Sequence, residues 1–159
     1  MGSGKSSVGR ALSTLLCTHF IDLDEYITTK SGKSIPEIFD AGGEEGFRAL
    51  EAEALREVLA TGGDTDLVLS LGGGTILREE NAALIARCCR CVFLRASAET
   101  LRSRLEGESE GRPMLRDGGF ETLLAARTPA YEQAAGIIID TDGLTPMAIA
   151  HIIAEGNKL

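Results

Sequence analysis

The residues best equipped for chemistry stand at the start of the chain, in Met1-Gly2-Ser3-Gly4-Lys5-Ser6-Ser7. Gly4, Lys5 and Ser6 supply the closing G-K-S of the phosphate-binding pattern G-x-x-x-x-G-K-[ST]. The opening glycine of that pattern falls two residues before Met1, so the chain begins inside the motif. Small residues let backbone N–H groups curl around a polyphosphate. Lys5 is then expected to reach the β- and γ-phosphates, and the Ser6 hydroxyl to bind Mg²⁺. The apolar spacing of residues 8–16 predicts a helix directly after the loop, which sets the loop at a helix N-terminus, where anions are favoured. A flexible glycine-serine tail is the bland alternative, and Met1-Gly2 with Ser6 also fits an N-myristoylation pattern.

A second set of groups follows. Asp22 and Asp24 flank Leu23 at the end of a short strand, 18–22, where alternation points both carboxylates to one side. Beside a phosphate loop, one can hold Mg²⁺ through water while the other orients or deprotonates an attacking hydroxyl. Solvated strand-end acids are the plain alternative. Gly72-Gly73-Gly74 ends the apolar run 67–71 and permits close backbone approach to a ligand, or makes a tight turn. Arg48 lies early in a long predicted helix, where its fork could clamp a carboxylate. Arg112 sits in a polar, glycine-rich stretch, 106–119, that reads as a mobile lid. Arg127 stands two residues before a helix-disturbing Pro129. Any of these arginines taken alone would be read as a surface residue.

The elements that must position these groups alternate. Strands are expected at 18–22, 67–71, 91–94 and 137–140. Helices are expected at 25–30, after Ser34, at 44–60 beyond a break at Gly42-Gly43, and at 79–87, 97–105, 120–135 (interrupted at Pro129) and 145–155. Ser34 with Glu37 reads as a capping box. In 44–60, Phe47, Leu50, Ala54, Leu55, Val58 and Leu59 form one apolar face. Such alternation predicts an α/β fold with a parallel sheet and right-handed crossovers, with ligands at the carboxyl ends of the strands. The loop glycines, the acids and the triple glycine all fall there.

The 159 residues suit one domain, 1–159, with a real core. A net charge of −8 argues against nucleic-acid or anionic-membrane surfaces but not against small anionic substrates. No apolar run approaches the ~20 residues that span a bilayer, and no secretory signal stands out, so a cytoplasmic protein is expected. Cys88, Cys89 and Cys91 lack zinc-site spacing; together with Cys17 they read as reduced, buried or half-buried residues.

Taken in order, these pieces resemble the shikimate kinase family. The resemblance is carried by Met1-Gly2-Ser3-Gly4-Lys5-Ser6, Phe20-Ile21-Asp22-Leu23-Asp24, Ile38-Phe39 through Gly43-Glu44 to Phe47-Arg48 and Glu51, Leu71-Gly72-Gly73-Gly74, Arg112-Pro113-Met114-Leu115, and Arg127 with Pro129 and Tyr131. It implies a P-loop kinase-like, three-layer α/β/α fold with strand order 2-3-1-4-5, the first strand largely absent here. A chain beginning at Met1 is therefore expected to be unstable or to rearrange. It implies ATP-dependent phosphorylation of the 3-hydroxyl of shikimate, on the route to chorismate and aromatic amino acids, with Mg²⁺, by a monomer.

The resemblance also implies roles. Asp24 would bind substrate hydroxyls and act as base; Arg48 and Arg127 would grip the carboxylate; Gly73 and Gly74 would line the substrate pocket. Lys5 and Arg112 would stabilise the transferring phosphoryl group. Gly2, Ser3, Gly4, Lys5, Ser6, Ser7, Arg104 and Arg112 would hold the nucleotide, with the segment after Asp140 up to Pro146 near adenine. Ser6 would ligate Mg²⁺, with Asp22 behind it. Another small-molecule kinase of this fold, such as a gluconate kinase, and a non-catalytic relative are the alternatives.

Overall fold

A computed structural model describes residues 2–61, 66–106 and 119–156. The expected lid lies almost wholly outside the described residues, and Arg112 with it.

Helix α1 (Lys5–Leu16) starts directly at the loop, as its pattern requires. Gly4 sets the entry angle with a left-handed φ of 82°, and its carbonyl accepts the Val8 N–H at 2.9 Å. Val8 and Leu12 are buried against Ile149, Ala150 and Ile153 of α7 (Pro146–Gly156), with Leu94 and Ile139 beneath. Along the inner face of α1, a side chain at Gly9 would collide with the Phe20 ring, which fixes how closely the helix can lie on the first strand.

Four short parallel strands follow the predicted positions: β1 (His19–Asp22), β2 (Leu67–Ser70), β3 (Val92–Arg95) and β4 (Ile137–Asp140). β1 pairs with β2 in the register Asp22↔Ser70, and β3 with β4 in the register Arg95↔Asp140. The described strands thus form two parallel pairs rather than one sheet. In the order 2-3-1-4-5 these pairs occupy the 2-3 and 4-5 places, on either side of the middle one. Between them lies a cavity of about 910 Å³, lined by Val68 and Leu69 on one side and Val92 and Leu94 on the other. The two halves are held together instead by α1, which contacts β1, β2 and α7.

The larger core lies beneath β1 and β2. It is built from Leu23 and Ile27 of α2 (Leu23–Ser31), Phe47, Leu55 and Val58 of α3 (Ile35–Thr61), and Ile85 of α4 (Glu79–Cys88). The Ser34 capping box is present: the Ser34 N–H donates to Glu37 Oε2 at 2.7 Å, and the Glu37 N–H to Ser34 Oγ at 3.4 Å. The break at Gly42-Gly43 is a kink within α3, where Gly43 alone leaves helical geometry (φ 64°, ψ −169°). Leu50 departs from the predicted apolar face and is 37% exposed.

Pro129 does not interrupt α6 (Gly119–Ala134). The missing proline N–H costs one backbone bond; nearby, Thr128 Oγ1 donates to the Leu124 carbonyl at 2.8 Å and the Tyr131 hydroxyl to the Gly73 carbonyl. The cysteines are free, yet Cys17 and Cys88 are exposed rather than buried, because they fall at helix C-termini. α5 (Ala98–Glu106) completes the helices. Among the described residues, no helix is long and apolar enough to cross a membrane.

Candidate active site

Three elements deliver groups to the carboxyl edge of β1 and β2, and the phosphate loop meets them there. Gly2 and Gly4 both take left-handed φ values, 68° and 82°, which curl the loop ahead of α1. Ser6 Oγ donates to Asp22 Oδ2 at 2.6 Å. Arg104 of α5 donates to the Gly2 carbonyl at 3.4 Å, so this arginine meets the loop backbone. Ser3 is half-buried within the loop, while Ser7 is exposed on the first turn of α1.

Asp24 stands in the first turn of α2, not on the strand, so alternation along β1 does not bring the two acids together. The helix cap does. Asp22, the last residue of β1, is the N-cap of α2, and its Oδ1 accepts the Asp24 N–H at 3.1 Å. Asp22 therefore holds Ser6 with one oxygen and the helix start with the other. Asp24 keeps solvent-exposed surface, yet the protein around its carboxyl pushes the pKa above the ordinary carboxylate value. Burial is the main cause, followed by the charges of Asp22 and Glu51; Lys5 and Arg48 pull the other way. Lys5 thus acts on Asp24 electrostatically from the loop.

Opposite them, α3 supplies Arg48 and Glu51. Glu51 is fully buried. Its Oε2 accepts Arg48 Nη1 at 2.8 Å and its Oε1 accepts Thr75 Oγ1 at 2.7 Å. Arg48 also lies 3.6 Å from Glu44 and over the Phe47 ring, which itself stacks on Phe39. The turn Gly72-Gly73-Gly74 threads between these side chains. A Cβ at Gly72 would sit 2.9 Å from Glu51 Oε1 and 3.2 Å from Asp24 Oδ1, and one at Gly74 would strike the Arg48 guanidinium. Close approach of charged groups thus favours glycine at 72 and 74. Beyond them, Thr75 opens a 3₁₀ turn, and its carbonyl accepts the buried Asn81 amide at 3.0 Å.

The fourth side comes from α6. Arg127 Nη1 and the Tyr131 hydroxyl lie against Gly73, both 3.4 Å from where its Cβ would be. Arg127 Nε is buried without a hydrogen-bond partner. A buried donor in that state is costly, and a bound anion would satisfy it.

The fold gathers Gly2, Ser3, Gly4, Lys5, Ser6, Asp22, Asp24, Arg48, Gly73, Gly74, Arg104 and Arg127 at one edge of the sheet. Ser7 lies on the outer side of the helix, and Arg112 lies outside the described residues. The segment after Asp140 is tied to α5, where Asp142 accepts the Ser97 N–H at 3.2 Å. Glu51 was legible only as part of a motif; its work of joining Arg48 to Thr75 depends on complete burial, which the sequence did not signal. Thr75, Asn81 and the Tyr131 contact were likewise unforeseen. Among the described residues no group of three or more His, Cys, Asp or Glu side chains could hold a metal alone. Ser6 and Asp22 nevertheless offer hard oxygen donors, which suit Mg²⁺ shared with a bound phosphate.

Comparison with known proteins identifies the family. The family description "Shikimate kinase" matches residues 1–156. The shikimate kinase of Thermus thermophilus is 43% identical over 98% of this chain and 84% of its own length. That of Dictyoglomus turgidum is 43% identical over 89% of this chain and 84% of its own. Among solved structures, shikimate kinase from Acinetobacter baumannii in complex with shikimate superposes with a TM-score of 0.90 at 34% identity, covering 100% of this chain and 90% of that one. The Aquifex aeolicus enzyme superposes with a TM-score of 0.86 at 33% identity, covering 100% and 94%. The family match over residues 1–156, with relatives 43% identical over up to 98% of the chain, places it in the shikimate kinase family of ATP-dependent kinases.

Proposed function

We propose that this chain transfers the γ-phosphoryl group of ATP to the 3-hydroxyl of shikimate, with the edge of β1 and β2 as its active site. One observation carries the reading: Asp24, Arg48 and Arg127 converge on Gly72-Gly73-Gly74 beside the phosphate loop. Two guanidinium groups suit the substrate carboxylate, and the orphaned Arg127 Nε is a donor waiting for an acceptor. Gly73 and Gly74 would line the pocket with backbone between these guanidinium groups.

Asp24 receives the proton of the attacking hydroxyl as that oxygen bonds to the γ-phosphorus and ADP departs. Its raised pKa brings it nearer the working pH than an ordinary carboxylate, as a general base requires. Lys5, at the N-terminus of α1, offsets charge on the transferring group, a role the resemblance also gives to Arg112, which lies outside the described residues. The loop Gly2–Ser6 and Arg104 cradle the nucleotide, with Ser7 on its flank. Ser6 would hold Mg²⁺, with Asp22 behind it, and the ion would supply charge neutralisation to the transferring phosphoryl group. A monomer is part of the proposal, and size-exclusion chromatography is its check.

The test is ADP release from Mg²⁺-ATP by the chain as given. Shikimate should stimulate it well above the blank and gluconate should not. Equal stimulation by gluconate, or none by shikimate, would refute the substrate assignment.

A further inference from the structure

Tyr131 has no part in the chemistry set out above, yet it touches the centre of the site. Its hydroxyl donates to the Gly73 carbonyl at 2.5 Å, and its ring packs on Phe93 of β3, with centroids 5.3 Å apart and planes tilted by 48°. Arg127 lies one helical turn earlier on α6, so both side chains project from the same face. Both lie against Gly73. Gly72, on the other side of the turn, faces Glu51 and Asp24, and Gly74 faces Arg48.

Among the described residues, the hydrogen bonds of the triple glycine and its neighbour show a division of labour. The Thr75 hydroxyl ties the turn to α3 through Glu51. The Thr75 N–H closes the turn on itself, to the Gly72 carbonyl at 3.2 Å. The tie to α6 is Tyr131. A glycine turn has no side chain to pack, so its position relative to a helix on another element must come from bonds to its backbone. Phe93 holds the phenol ring from the second strand pair, so this tie also spans the two halves of the sheet.

We propose that Tyr131 is a positioning residue that fixes the distance between Arg127 and the glycine turn, and so sets affinity for the substrate carboxylate. The proposal rests on the functional reading above, in which Arg127 grips that carboxylate. It makes no claim on the nucleotide side, because Lys5, Ser6 and Arg104 are held by other contacts.

Tyr131→Phe keeps the ring against Phe93 and removes only the hydroxyl. Two measurements on the whole chain test it. Hydrogen exchange of the amides in 72–75, without ligand, should be about 3- to 10-fold faster in Y131F, the effect of one neutral hydrogen bond. An unchanged rate overturns the proposal whatever the chain's substrate. By calorimetry, the shikimate Kd should rise by about the same 3- to 10-fold while the Mg²⁺-ATP Kd stays within about twofold. Equal weakening of both ligands, or normal shikimate binding by Y131F, overturns it. In the cycle with Arg127→Lys, the double variant should bind shikimate more tightly than the product of the two single losses, since both act on one contact. Strict multiplication would show that Tyr131 does not act through Arg127. If the unaltered chain binds no shikimate, the functional reading itself fails and the substrate half of the proposal fails with it, a result distinct from loss confined to Y131F.

Discussion

Glu51→Gln probes the link between fold and chemistry at one atom. Glu51 has no exposed side-chain surface, and Arg48 retains only 20%. The carboxylate accepts two bonds, from Arg48 at 2.8 Å and from Thr75 at 2.7 Å. A bond to a charged group contributes ~1.5–3 kcal/mol and a neutral one ~0.5–1.5 kcal/mol. The amide keeps one acceptor oxygen but turns an N–H₂ toward a donor, so the net loss should be about 1–2 kcal/mol. For a domain of this size that lowers Tm by about 2–8 °C. Glu51→Ala breaks a buried pair outright and should cost ~3–5 kcal/mol.

The same substitution has an electrostatic effect. Burial is the largest cause of the raised Asp24 pKa, and the Glu51 charge adds to it after Asp22. Removing that charge lowers the Asp24 pKa, so the acid limb of the kcat profile should move to lower pH. Thermal unfolding by circular dichroism and a pH series of shikimate-dependent ADP release measure both effects. A Tm within about 1 °C of the parent, against the shift expected for this size, would show that the buried pair contributes little. An acid limb moving upward would refute the coupling to Asp24.

Asp24→Asn should lower kcat by ~10²–10⁴ if Asp24 is the general base, and unchanged turnover would remove it from that role. It should also stabilise the fold at neutral pH. The native pKa is raised, so the native state holds its proton more tightly and stability contributed by this group falls as pH rises above the unfolded value of ~3.9. The gain should therefore shrink toward acid pH in denaturant titrations, and a pH-independent gain would contradict the assignment. Arg48→Lys loses the planar fork over Phe47 and should raise KM for shikimate more than for ATP; equal effects would refute a carboxylate-gripping role. Leu55→Ala, at a site with no solvent exposure, should cost ~2–5 kcal/mol by urea unfolding, and a loss below that range would place Leu55 outside a tightly packed core.

The sequence alone determined the strands and the helix that follows the phosphate loop, because those signals are local. Continuous apolar runs, period-3.6 burial, caps such as Ser34 with Glu37, and glycines that must adopt left-handed backbone are written within a few residues. It also determined the chemical inventory, since a G-K-S loop, strand-end acids and isolated arginines are each legible in one dimension. It could not place those groups relative to one another. The acids were expected to meet through strand alternation, whereas Asp22 caps α2 and presents Asp24 from a helix. Pro129 was expected to interrupt α6, whereas the helix runs through it from Gly119 to Ala134. The burial of Glu51 follows from the packing of α3 against the glycine turn, 24 residues away in sequence from the Thr75 it bonds. These outcomes depend on distances between elements remote in the chain, and only packing sets such distances.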